Sequence, residues 1–111
     1  MKNREIEIAK DFGILEKVEK LESELLNINA VVDVDFDLSG FYDNMKQVII
    51  LANYNIPATL QNYYEVRREL LNKIIEVAKD NGLKRTEDRV EDYGEWFYFV
   101  FKHDKTWNKV S

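Results

Sequence analysis

From Val32 to Leu38 apolar and acidic residues alternate without a break: Val32, Val34, Phe36 and Leu38 are separated by Asp33, Asp35 and Asp37. Successive side chains of an extended strand point to opposite faces, so this period of two predicts a strand with one buried face and one acidic face. Ser39-Gly40 and Asp43-Asn44 are turn residues, and Met45 to Tyr54, rich in Val and Ile, reads as the second strand of an antiparallel hairpin with a long loop. Pro57, which lacks a backbone N–H, ends that strand.

The segment before the hairpin, from about Asn3 to Asn27, reads as helix. Ile14, Val18, Leu21, Leu25 and Ile28 recur in steps of four and three and form one apolar stripe. Gly13 interrupts the pattern, and the alternation from Arg4 to Ala9 also suits a short strand, so a helix that begins only near Ile14 is the alternative. Two heptads are too few for a coiled coil, which leaves a core-facing helix. After the hairpin, Thr59 is a plausible cap for a helix from Leu60 to about Asp80. Leu60, Tyr63, Tyr64, Leu70, Leu71, Ile74, Ile75 and Ala78 supply its broad apolar face, and Asn81-Gly82 stops it.

The last third predicts a second hairpin, Lys84 to Glu91 and Glu95 to His103, joined at Asp92-Tyr93-Gly94. Its first strand is polar and is placed at a sheet edge. In its second strand Trp96, Tyr98 and Val100 point one way and Phe97, Phe99 and Phe101 the other, a pattern expected of a strand covered on both faces. The order helix, strand, strand, helix, strand, strand predicts an α+β fold of two αββ units: a four-stranded antiparallel sheet with two helices packed on one face, in a single domain over residues 1–111. With both helices on one face, part of the aromatic set Trp96, Phe97, Tyr98 and Phe99 must look out from the other, which makes it a candidate interaction surface.

Composition narrows the function. With 45% hydrophobic and 33% charged residues the chain is suited to a folded core rather than to disorder. The absence of cysteine removes disulfides, thiol nucleophiles and cysteine–zinc sites. The charged start, Met1-Lys2-Asn3-Arg4-Glu5, is not a secretory h-region, and no apolar run approaches the roughly 20 residues of a membrane span, so a cytoplasmic protein without membrane contact is expected. The net charge of -5 is uneven: Glu22, Glu24, Asp33, Asp35, Asp37 and Asp43 fall between Leu21 and Met45 with no Lys or Arg among them. Such a field repels phosphate backbones and attracts basic surfaces, which argues against direct nucleic-acid binding. Lys outnumbers Arg eleven to five, a usage that resembles AT-rich bacterial and phage proteins and carries no mechanism.

The acidic row Asp33, Asp35 and Asp37, with Asp43 beyond it, admits three readings. Side chains two apart on a strand stand about 6.6 Å from one another, too far for three to grip one small cation without help from a neighbouring strand. An EF-hand fails because Leu38 falls where its glycine belongs and Asn44 where its bidentate Glu belongs. No metal site is therefore assigned. The second reading is a solvated, solubilising strand face, and the third is a docking stripe for a basic protein surface. The aromatic strand departs from the RNA-recognition signature: Lys102 stands where an aromatic is required and Tyr98 where a small residue is.

Catalysis has little material. His103 is the only histidine and sits at a strand end beside Asp104, Ser23, Ser39 and Ser111 lie in no nucleophile context, and the four glycines build no phosphate loop. The sequence thus predicts a non-catalytic binding or regulatory protein without a cofactor. It is expected to act on a protein partner or on itself as a homo-oligomer, through the acidic stripe or the aromatic sheet face. The alternatives are a divalent-metal enzyme using Asp33, Asp35 and Asp37, and a purely structural homo-oligomer.

Overall fold

The computed structural model describes residues 1–43, 46–86, 91–93 and 95–107. The expected first helix is two helices, α1 (Asn3–Asp11) and α2 (Leu15–Leu26). Gly13, at φ +68°, makes the break: its N–H bonds to Lys10 O, and the N–H of Ile14 reaches back five residues to Ala9 O. This is a helix stop built on a left-handed residue. The segment that could have passed for a strand is therefore helical, and Glu5, Ile8 and Ala9 form its buried side at helical spacing. In α2 the predicted stripe holds, with Val18, Leu21 and Leu25 buried.

The first hairpin pairs β1 (Val31–Asp37) with β2 (Gln47–Tyr54) antiparallel. One alternating residue departs from the prediction. A bulge between Val31 and Asp33 makes Val32 the extra residue, and it is 58% exposed while Val31 packs against the core in its place. Beyond the bulge Val34, Phe36 and Leu38 are buried as the alternation requires. The expected turn residue Asn44 and the expected first strand residue Met45 lie outside the described residues, and β2 is seen from Gln47.

The helix expected from Leu60 starts later: α3 runs Tyr63–Asp80, with Asn62 at the cap position and Thr59 exposed outside it. Residues 57–63 instead form successive tight turns, Leu60 N–H to Pro57 O and Tyr63 N–H to Leu60 O. The buried face of α3 is correspondingly narrower, Leu70, Ile74 and Ala78, and Leu60 and Tyr64 are exposed. Asn81-Gly82 closes the helix as predicted, Gly82 at φ +82°.

β3 (Leu83–Arg85), β4 (Glu91–Tyr93) and β5 (Trp96–His103) complete an antiparallel sheet of order β1-β2-β5-β3. β3 and β4 share the outer edge of β5, pairing with its two ends, so the sheet is four strands wide. Residues 87–90 and Gly94 of the predicted hairpin lie outside the described residues. The fold class is α+β, as the element order predicts. Alternate strand residues Val34, Phe36, Val48, Ile50, Ala52, Phe97, Phe99 and Phe101 are buried in one cluster with the inward residues of α2 and α3. Their neighbours along each strand are only half-buried, so β5 does not carry two equally covered faces. Among the described residues no helix is long and apolar enough to cross a membrane.

Candidate interaction surface on the sheet

Residues opposite one another in antiparallel strands share a face. The register therefore sorts the half-exposed face into rows running across β1, β2 and β5: Asp33, Asn53 and Trp96; then Asp35, Leu51 and Tyr98; then Asp37, Ile49 and Val100. A fourth row, Gln47, Lys102 and Lys84, runs from β2 through β5 to β3. The two surfaces read separately from the sequence are thus one: an acidic outer strand, an aliphatic strip, and an aromatic strand beside it. At one corner Lys84 and Lys102 are directly opposite and both exposed, a like-charge pair that a sheet disfavours.

Two parts of the predicted surface lie elsewhere. Phe97 and Phe99 are 0% and 1% exposed, on the opposite face from Trp96 and Tyr98, and belong to the core. Phe97 stacks on Tyr54 at 4.2 Å between ring centroids, with the Arg67 guanidinium 5.1 Å above it. Asp43 is exposed in the turn after the short 3-10 segment Ser39–Phe41 and is not aligned with the acidic strand.

The three strand carboxylates differ in their surroundings. Asp33 Oδ1 accepts the Val34 N–H at 2.9 Å. Asp37 Oδ1 accepts both the Ser39 hydroxyl at 2.6 Å and the Ser39 N–H at 3.0 Å, with Arg4 Nη2 4.0 Å away. The Ser39 hydroxyl holds the Asp37 carboxyl below the usual carboxylate range, with help from the Ser39 N–H and Arg4 and against a partial burial. Asp37 thus also fastens the turn that leaves β1. Among the described residues no three His, Asp or Glu side chains are placed to hold one metal ion.

His103 continues the inward row of β5 and is 7% exposed. Its ring stacks on Phe41 at 4.8 Å and 4° between planes, lies 6.3 Å from the Trp107 ring, and its Nδ1 is 3.1 Å from Asp104 O. This is a packed position in the aromatic core. Ser39 serves the Asp37 turn, and the adjacent carboxylates Glu91 and Asp92, a pair that the sequence offers for acid-base work, have side chains outside the described residues.

Sequence reasoning missed three features. Glu5 is buried although it is a helix carboxylate, and only its i+3 and i+4 spacing to Ile8 and Ala9 hints at it. The Lys84 and Lys102 pair depends on a register set by residues far apart in the chain. A cleft of about 490 Å³ beside α3 and β3 is lined by Ile75, Lys79, Leu83, Lys84, Arg85 and Asp104, and no local motif announces it. Compared with models of protein families, with characterised proteins and with solved structures, the chain matches none.

Proposed function

We propose that this chain is a non-catalytic protein-docking module whose docking surface is the half-exposed sheet face. The observation that carries the reading is the register. It sets three carboxylates spaced about 6.6 Å apart along β1 beside an aliphatic strip, Ile49 and Leu51, and an aromatic one, Trp96 and Tyr98. A face that only solubilised the sheet would gain nothing from half-exposed Ile, Leu and Trp side by side. The matching occupant is a protein surface that lays apolar groups on the strip and brings basic side chains to β1, where charge complementarity fixes orientation and apolar contact supplies affinity.

A synthetic peptide of alternating lysine and valine is a defined probe of that chemistry. Its binding is read from Trp96 fluorescence, because Trp107, the other tryptophan, is buried. The expected result is saturable binding that weakens roughly tenfold from low to physiological salt and is lost in the Asp33→Asn, Asp35→Asn double variant. Binding that ignores both the salt and the carboxylates overturns the reading, as does no binding at all.

A further inference from the structure

β1 ends the sheet on its acidic side, so one row of its backbone groups faces no neighbouring strand. An edge of this kind is a template for adding another strand. The bonds around β2 show which groups these are. Tyr54 N–H turns to Glu95 O beside β5, and Asn55 N–H turns to Ala30 O beside β1. Backbone groups alternate in direction along a strand, so Asn53, Leu51 and Ile49 also face β1, and their partners Asp33, Asp35 and Asp37 face back toward them. Val34 and Phe36, with Leu38 just beyond the strand, therefore turn their N–H groups to the open edge.

Carboxylates already take the first and last of those three donors. Asp33 Oδ1 accepts the Val34 N–H at 2.9 Å, and Glu5 Oε2 accepts the Leu38 N–H at 2.8 Å. The Phe36 N–H between them has no acceptor among the described residues. We infer that Asp33 is an edge lock: its side chain takes the place of a neighbouring strand's carbonyl at Val34 and, together with Glu5, keeps β1 from pairing with β1 of a second copy. An added strand bonds to alternate N–H groups in succession, and here it would have to displace an acceptor on either side of Phe36. The bulge at Val32 breaks the register beyond Asp33, which closes that end of the edge further. The acceptor oxygen, not the charge, makes the difference. Asp35 carries the same charge two residues on, yet the N–H that follows it, that of Phe36, stays open. The edge lies apart from the docking face, so its closure holds whatever that face binds.

Amide hydrogen exchange at Phe36, followed by NMR over a protein concentration series alongside sedimentation equilibrium, tests this. Salt of about 1 M screens the repulsion between the Asp35 and Asp37 carboxylates of two copies. Asp33 is exposed, so its replacement leaves the core filled. Asp33→Ala removes both the acceptor and the charge, whereas Asp33→Asn removes the charge and keeps an acceptor oxygen. In the alanine variant, exchange at Phe36 should slow about tenfold as the mass climbs from monomer to dimer. In wild type and in the asparagine variant it should stay fast at every concentration. Association through the sheet face would raise the mass and leave this amide open, so the exchange rate separates the two. An alanine variant whose Phe36 exchange ignores concentration overturns the inference. So does a wild type or an asparagine variant in which Phe36 becomes protected as readily as in the alanine variant.

Discussion

The buried carboxylate of Glu5 accepts the backbone N–H of Leu38 at 2.8 Å, joining the first helix to the end of the first strand across 33 residues of sequence. Leu38 is fully buried and has just left the β1–β2 ladder, so no strand partner satisfies its N–H. The neighbouring Arg4 lies 3.8 Å from the other Glu5 oxygen and 4.0 Å from Asp37, so the end of α1 and the β1 turn share one polar junction.

Glu5→Ala removes the acceptor and leaves a buried donor unpaired, at a cost of about 1–3 kcal/mol. For a domain of this size that lowers Tm by several degrees. Glu5→Gln retains an acceptor oxygen and should cost less. Thermal unfolding of the three proteins checks the order wild type, Gln, Ala; equal Tm values for Gln and Ala would mean that the Leu38 bond contributes nothing.

Acid stability should depend on Ser39. Because the Ser39 hydroxyl depresses the Asp37 pKa in the folded chain, the folded state binds a proton at Asp37 less readily than the unfolded one. The stabilisation is therefore present above the unfolded carboxyl value of about 3.9 and is lost as pH falls through the lower folded value. Ser39→Ala removes the largest cause of the shift. The variant should be less stable than wild type at neutral pH, and the gap should close below about pH 4. Urea unfolding at pH 7, 5 and 3 measures it, and a gap that widens with acid would reverse the assignment.

Among the described glycines Gly82 is the least able to take a side chain. Its φ of +82° is in the left-handed region, and a Cβ there would stand 2.7 Å from Thr106 Oγ1 and 2.9 Å from Asp104 Oδ1. Asp104 and Thr106 hydrogen-bond one another, and Asp104 N–H bonds back to Gly82 O, so the 3-10 segment Lys105–Trp107 is seated on this glycine. Trp107 adds an indole bond to Asn81 O. Gly82→Ala should cost about 1–3 kcal/mol from backbone strain alone. Adding Thr106→Ala should recover part of the steric share, which a double-mutant cycle in denaturant would resolve.

Strand and helix types were legible where a period is local. The alternation through Asp33, Asp35 and Asp37 located β1, the four-and-three spacing from Val18 to Leu25 located the face of α2, and Asn81-Gly82 marked the end of α3; Gly13 read only as an interruption of one helix, where the structure has two. The features that decide function depend on pairing between distant segments. No local pattern makes Val32 the extra residue, because a bulge exists only relative to β2. Phe97 and Phe99 could not be separated from Trp96 and Tyr98 as surface residues, since both sets are large and aromatic and only the placement of the core chooses between them. The same holds for Lys84, whose position opposite Lys102 follows from how Gly82 and Asp104 bring the two strands together.

The adjacent residues Ile49 and Ile50 offer the cleanest separation of folding from docking. They have the same chemistry and opposite faces: Ile50 is 0% exposed in the core, whereas Ile49 is half-buried in the row with Asp37 and Val100. Ile50→Ala leaves a cavity among packed side chains and should cost about 2–5 kcal/mol. Ile49→Ala removes atoms that neighbours only partly surround, so its cost to the isolated chain should be well below that of Ile50→Ala. If the sheet face is the docking surface, Ile49→Ala should instead weaken binding of the lysine–valine peptide. Denaturant unfolding and titration with the peptide read the two effects independently. An Ile49 variant as unstable as the Ile50 variant would mean that a second layer covers this face of the sheet, and the docking surface would have to be sought elsewhere.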